Sequence, residues 1–212
     1  MPWLVKFFIN TEAVAFYSLA LNAVAFLESF MPLAGLSSIL GLKADNRNEM
    51  AFIFKRSFKY ALWIGVLLSL IGFVLLPLVL GFIFPKYTDS IPVLRVMLLA
   101  LPFYGIYKIL KSTLSVLREH RVLAMRILNE MLILLLGPVI LLPAAGLAGA
   151  GLIYIAMYVE RSWFFYRELV GKYRDFRIKA RHLVEFDEVD KIFLVKGIRS
   201  FLRVVKSFSP WK

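Results

Sequence analysis

The sequence predicts an all-α membrane protein, a bundle of about five transmembrane helices followed by a C-terminal amphipathic helix. Three observations predict it. Sixty per cent of the 212 residues are apolar and the mean hydropathy is +0.76, more apolar surface than the core of one soluble domain needs. The charged residues gather in clusters separated by long uncharged runs, as they do in a chain that threads a hydrocarbon layer ~30 Å thick. Near the C-terminal end, aliphatic and aromatic residues alternate with bases at helical spacing.

Composition also excludes chemistry. The chain has no cysteine, so disulfides and thiolate metal sites are ruled out. Its two histidines, His120 and His182, lie far apart in charged stretches, and nothing spaces metal ligands. A net charge of +12 would point to nucleic acid in a soluble protein. Here the bases flank apolar spans, where they set orientation and meet anionic lipid, so membrane lipid is the expected partner and nucleic acid is not. Met1–Asn10 is a short apolar stretch without the basic region and cleavage site of a signal peptide.

The first span runs from Val14 to about Leu42, broken at Met31-Pro32 and containing Glu28. It is longer than a bilayer, so tilt, a kink or an interfacial end must absorb the excess. The second runs from Ala61 to Phe84 around Pro77. The third covers Ile91 to about Leu110, with Pro102 inside it. The fourth runs from Ile127 to Pro143, with Gly137-Pro138 near its middle, and the fifth from Gly146 to Tyr158 and on through Trp163 and Phe165. Interior prolines are tolerated in membrane helices because neighbouring groups satisfy the freed carbonyl.

The connections alternate in charge. Lys43, Arg47, Lys55, Arg56 and Lys59 lie between the first two spans, and only Lys86 and Asp89 between the next two. Lys108, Lys111, Arg118, Arg121 and Arg126 precede the fourth span, Ala144-Ala145-Gly146 carries no charge, and Arg161, Arg167 and Lys172 begin a basic tail. The positive-inside rule places the C-terminus in the cytoplasm of a multi-pass cell-membrane protein. Five spans then leave the N-terminus outside, and the expectation is that a preceding span is absent or supplied by another chain.

The expected division is a transmembrane bundle over residues 1–166 and a basic cytoplasmic tail over residues 167–212. Within the tail, Glu185, Asp187, Glu188 and Asp190 read as a solvated loop. Leu194, Ile198, Phe201, Val205 and Phe208 then share one helix face, opposite Lys196, Arg199, Arg203 and Lys206. That pattern fits a helix lying in the headgroup layer, which makes the four bases candidates for contact with the lipid surface.

No catalytic arrangement is evident. There are no paired carboxylates, no Ser–His–Asp set and no phosphate-cradling glycine loop, so neither an enzyme nor a bound cofactor is expected. Charges inside spans are costly and mark pathways or buried pairs. Glu28, Arg95, Lys108 and Glu130 are therefore the candidate substrate-pathway residues. Arg95, Lys108 and Glu130 could instead reach headgroups from near the span ends; Glu28 lies too deep and its side chain is too short.

Three motifs stand in order: Val14-Ala-Phe-Tyr17-Ser-Leu-Ala20; Leu80-Gly-Phe-Ile-Phe-Pro-Lys-Tyr87 followed by Ile91-Pro-Val-Leu-Arg95; and Ala145-Gly-Leu-Ala-Gly149-Ala-Gly151. Across residues 12 to 166 they resemble the C-terminal half of the O-antigen-flippase-like, polysaccharide-biosynthesis branch of the multidrug/oligosaccharidyl-lipid/polysaccharide exporters. The resemblance implies two helical bundles around a cavity and outward movement of a lipid-linked sugar substrate by alternating access. Arg95 falls on the family's Val-Leu-Arg position; Glu28 and Lys108 match no family motif. Full members have twelve or more spans, so a second helical bundle, a separate chain or another copy, is the expected partner. The alternative reading is a non-transporting scaffold whose basic tail binds lipid or recruits cytosolic proteins.

Overall fold

In the computed structural model, residues 2–31 and 46–184 are described. They are helical throughout, joined by short turns, with no strand among them. Helix α1 covers Pro2–Phe8, α2 Thr11–Ser29, α3 Arg47–Ile83, α4 Ile91–Leu98, α5 Leu101–Val116, α6 His120–Lys172 and α7 Ala180–Val184. Short 3₁₀ turns at Pro85–Ser90 and Arg174–Phe176 complete the order.

Two helices, α3 and α6, are long and apolar enough to cross a membrane, and a third crossing arises if α4 and α5 act as one span. The predicted count of about five is thus not reached by length and composition. Helix α2 stops at Ser29, where the sequence predicts a span to Leu42; residues 32–45 lie outside the described residues. Helix α2 carries Glu12, Asn22 and Glu28 within its 19 residues. The predicted third span is broken rather than kinked. It ends at Leu98 and restarts at Leu101 with a bend of 46°, because Pro102 at the start of α5 lacks the N–H that would continue α4.

The predicted fourth and fifth spans form the single 53-residue α6, whose contacts show that it doubles back. Gly146 alone leaves helical geometry, at φ 55° and ψ −136°, a region that only glycine enters without strain. On either side of it Glu119 meets Lys172, Glu130 meets Arg161, and Ile153 lies against Gly137. The pairing is that of an antiparallel hairpin with limbs of about 26 residues, ~39 Å long. Pro138 and Pro143 sit inside the first limb without breaking it. The break falls at Gly146, which the sequence assigns to the loop between spans.

Close glycine contacts set the packing. A Cβ on Gly65 would lie 2.6 Å from Pro102 Cα, and one on Gly105 would lie 2.9 Å from the Ala61 carbonyl oxygen. Helices α3 and α5 therefore approach backbone to backbone, as small residues permit in membranes. Gly151 admits the second limb of α6 against Val93 and Val96 of α4 in the same way. Around these contacts lie Leu94, Met97, Leu98, Leu101, Ile109 and Leu110, all fully buried.

One end of the bundle is tied by polar groups. Helix α5 stops with Arg118 in a left-handed conformation, φ 58°, which lets the Glu119 N–H reach the Leu114 carbonyl at 2.9 Å. The Glu119 carboxylate then accepts from Lys172 Nζ at 2.5 Å and from the Tyr173 hydroxyl at 2.8 Å. Arg47, at the start of α3, stacks 4.6 Å from the Tyr173 ring centre and pairs with Asp175 at 3.4 Å. Phe176 closes this end against Phe54, with ring centres 5.3 Å apart. The compact unit thus runs from Met1 to Arg177, past the predicted boundary at residue 166, because α6 and the turn after it pack into the bundle. A second unit covers Ile178–Lys212; its described part is the short, exposed α7. At the opposite end of the bundle Phe16 of α2 packs edge-on against Tyr87, with ring centres 6.0 Å apart.

Replacing Gly146 with alanine should cost about 1–3 kcal/mol, since the backbone there excludes side chains. Gly81→Ala, in a helix with open space around it, should be neutral or mildly stabilising. Thermal melting of the purified proteins in detergent compares the two.

Hydrogen bonds from Lys172 and then Tyr173 hold the Glu119 carboxyl below the usual carboxylate range. Its contribution to stability is present above the unfolded carboxylate value of about 4.3 and is lost as pH falls through the lowered folded value. The melting temperature should therefore decline on acidification below about pH 4, and decline less in Glu119→Gln.

Candidate functional site: a polar face on an apolar bundle

The bundle has two chemically different sides. Helix α3 turns Leu67, Leu70, Val74 and Leu78 outward, and the first limb of α6 exposes Leu132, Leu135, Val139 and Ile140. These are the surfaces expected against acyl chains. Helix α5 is different. Its outward positions are Tyr104, Lys108, Lys111, Ser112 and Ser115, spaced three and four apart, while Ile106, Ile109, Leu110 and Leu114 are buried. The outward positions of α2 include Thr11, Ala15, Asn22, Ala25 and Ser29, small or polar, together with Phe26 at 58% exposed. A lysine facing hydrocarbon near the centre of a helix costs about 2.5–3.5 kcal/mol on insertion scales. This face is therefore built for an environment other than lipid.

The deepest carboxylate belongs to it. Glu28 Oε1 accepts a hydrogen bond from the Tyr154 hydroxyl at 2.7 Å, which joins α2 to the second limb of α6. Lys108 Nζ lies 5.3 Å from the Tyr104 ring centre. Tyr158 meets Tyr104 and Tyr154 edge-on, with ring centres 5.5 and 5.0 Å apart. A chain of contacts through Tyr154, Tyr158 and Tyr104 thus links Glu28 to Lys108.

Toward the basic end lies an ionic knot. Glu130 bridges Arg126 of its own limb and Arg161 of the other. Arg126 Nη1 donates to the Tyr107 hydroxyl at 3.1 Å, and its guanidinium lies beside the stacked Tyr107 and Phe165 rings, 5.1 and 5.4 Å from their centres. Arg161 lies 5.3 Å from the Tyr107 ring centre and 4.8 Å from that of Tyr158. The side chains of Arg126, Arg161 and Glu130 are only 8%, 11% and 22% exposed. Glu130 is thus a buried bridge, and a headgroup is not what it reaches. Arg126 Nε, Arg161 Nε and Glu160 Oε2 are the buried side-chain atoms without a protein partner among the described residues.

Arg95 stands apart. It is exposed on α4, 5.0 Å from the Phe73 ring centre on α3, and does not join the cluster. Lys196, Arg199, Arg203 and Lys206 lie outside the described residues. His120 opens α6, and His182 of α7 accepts the backbone N–H of Lys179, just before that helix, at 3.2 Å. Among the described residues no group of His, Asp and Glu could hold a metal ion.

The sequence reading misses Arg126, Arg161 and the four tyrosines. It places both arginines in basic connections, whereas α6 begins at His120 and continues to Lys172, carrying them inside helices. The available signal was the i,i+4 spacing of Arg126 and Glu130, which marks a pair on one helix face. The tyrosines at 104 and 107, and at 154 and 158, have the same helical spacing.

In comparisons with known proteins, no family model, curated protein or solved structure matches this chain.

Glu130→Gln would leave two buried guanidiniums sharing a neutral amide. Breaking one partner of such a pair typically costs 3–5 kcal/mol. Melting in detergent should show a loss of about 3 kcal/mol, whereas Arg95→Gln should be close to wild type.

Proposed function

We propose that this chain is one half of a cell-membrane exporter of lipid-linked saccharides, with its polar face as one wall of the translocation pathway. The observation that carries this reading is the stripe of lysines, serines and tyrosines on α5, set between helices whose other faces are aliphatic. Such a stripe is stable at membrane depth when water or another protein surface covers it.

The proposed topology has five crossings: α2, α3, the broken α4–α5 pair, and the two limbs of α6. The end holding Arg47, Lys55, Arg56, Arg118, Arg121 and Lys172 faces the cytoplasm under the positive-inside rule. The opposite end carries Lys86 and Asp89 at the Pro85–Ser90 turn. The three ordered motifs support the exporter reading. The third of them contains the Gly146 reversal and the Gly149 and Gly151 contacts, so its small residues have a physical role in the hairpin. Full exporters of that kind have two bundles, so a second helical bundle, from a separate chain or another copy, completes the pathway.

In this reading Glu28 and Lys108 meet the cargo or a coupling ion. Glu130, Arg126 and Arg161 hold the wall together. Arg95 keeps its place among the candidates only through the motif it occupies.

Reconstitution tests the proposal. Proteoliposomes containing this chain and its second bundle should move a fluorescent polyprenyl-diphosphate saccharide between leaflets faster than protein-free vesicles. Lys108→Gln should reduce the rate severalfold without altering assembly. Stable co-purification of the two bundles with no movement above the protein-free control would sink the export reading. Failure of the bundles to associate would sink the two-wall arrangement.

A further inference from the structure

We propose that α1 is an interfacial anchor whose outward face, Trp3, Lys6 and Phe7, lies in the phospholipid headgroup layer at the end of the bundle opposite the basic one. This rests on the proposed topology, with the basic end cytoplasmic, and not on any transport activity.

Helix α1 has two unlike faces. Val5 is fully buried and joins Leu142 and Ala150 in the core, with Leu4, Phe8 and Ile9 packed against the same cluster. On the other side Trp3 and Phe7 are 81% and 82% exposed, and Lys6 is exposed between them. Positions 3, 6 and 7 fall on one side of a helix. Lys6 Nζ lies 5.9 Å from the Trp3 ring centre and is the only charge within Pro2–Phe8. At seven residues the helix is ~10 Å long, too short to cross a hydrocarbon core of ~30 Å.

One environment suits both kinds of side chain on the outward face. In water it would leave two large aromatic rings bare. In hydrocarbon it would strand the Lys6 ammonium. The headgroup layer takes the indole and the phenyl ring at the level of the acyl carbonyls, and the ammonium at the phosphates.

The position of α1 matches that environment. Asn10 follows α1 and caps α2, its Oδ1 accepting the Ala13 N–H at 2.6 Å. Within the first two turns of α2, Phe16 meets Tyr87, whose ring centre is 6.4 Å from that of Phe84 at the end of α3. Leu142 and Ala150, beside Val5, flank the Gly146 reversal. These contacts all belong to the end remote from Glu119 and Lys172. The outward line of α3 runs through Leu67, Leu70, Val74 and Leu78 and finishes at Phe82, which is 90% exposed. The lipid-facing surface thus turns from aliphatic to aromatic at the end where α1 presents its own rings, as it does at a bilayer boundary. A phospholipid continues that surface. An open cleft of about 260 Å³ lined by Pro2, Trp3, Lys6 and Val14 sets the ammonium where a phosphate can reach it.

Depth is directly measurable. Trp63→Phe, Trp163→Phe and Trp211→Phe together leave Trp3 as the only tryptophan. That protein is reconstituted in phosphatidylcholine–phosphatidylglycerol vesicles carrying a nitroxide on the headgroup, or bromines at shallow or deep acyl positions. The chain has no cysteine, so a spin label on Phe7→Cys gives a second depth from the ratio of oxygen to nickel-chelate collision rates. That variant keeps every tryptophan and serves if the triple variant does not fold. Leu135→Cys, ~16 Å along its limb from Gly146, is the deep reference. Thr11→Cys, treated with an impermeant maleimide in right-side-out and inside-out membrane vesicles, reports the side.

The anchor predicts that headgroup and shallow acyl probes quench Trp3 severalfold more than the deep probe. The Phe7→Cys label should be shallower than that on Leu135→Cys, and Thr11→Cys should react from the side opposite the cytoplasm. Lys6→Glu should raise acrylamide quenching of Trp3 severalfold in these anionic vesicles, and Lys6→Arg should leave it unchanged. Acrylamide quenching equal to that of free tryptophan would overturn the anchor, because Trp3 would stand in water. Strongest quenching from the deep probe would overturn the headgroup depth. Trp3 shielded from acrylamide and from every lipid probe would overturn lipid as the occupant and point to a second copy. An unchanged value in Lys6→Glu would overturn the contact with phosphate. Reaction of Thr11→Cys from the cytoplasmic side would overturn the leaflet and the topology together. None of these readouts needs transport, so inactivity in the export assay leaves them standing.

Discussion

The bridge that Glu130 makes between Arg126 and Arg161 is the constraint on which the rest of the bundle depends. Two guanidiniums placed inside a membrane helix pair are tolerable only with a carboxylate between them. Meeting that requirement fixes the register of the two limbs of α6. Once Glu130 faces Arg161, Glu119 must face Lys172 and Gly137 must face Ile153, as they do. The same arginines stack on Tyr107, so the hairpin is located against α5 by the group that closes it. The polar stripe on α5 is then left outward, because the opposite face is taken up by α3, Arg126 and Arg161.

Close packing supplies what the ionic knot cannot. Without a hydrophobic driving force between helices in lipid, association depends on dispersion contacts and short backbone approach. Gly65, Gly105 and Gly151 provide that approach at two crossings. The large aliphatic side chains of α3 and the first limb of α6 are left to the solvent they match. The division between a lipid side and a polar side is thus a consequence of where the small residues lie.

The all-helical class was legible from hydropathy alone, and so was the C-terminal limit of α3; its start at Arg47 was not, because Arg47, Lys55, Arg56 and Lys59 read as a connection before a span opening at Ala61. The hairpin was legible in part: an uncharged Ala144-Ala145-Gly146 link between apolar runs reads as a tight reversal. Other features depend on three-dimensional company. Pro102 looks like one more tolerated kink until its position at the first turn of α5 shows that α4 has already ended. Arg126 and Arg161 look like loop residues because charge dominates a hydropathy window, although stacking on aromatic rings and a shared carboxylate make their burial affordable. Glu28 and Lys108 were singled out by depth, and no spacing in sequence could show that residues eighty apart join one chain of contacts. Arg95 had the same sequence credentials and lies elsewhere, over Phe73.

The uncharged Gly146 reversal has a consequence for how the chain enters a membrane. Each limb of α6 carries buried charge, Arg126 and Glu130 on one and Arg161 on the other, so a limb inserted alone would expose unpaired ions to hydrocarbon. The link between them offers only three small residues to the far side. Entering as a pair, the limbs neutralise one another before meeting lipid, and little polar backbone has to be carried across. Paired entry is thus the arrangement in which the bridge from Glu130 to Arg126 and Arg161 is already made.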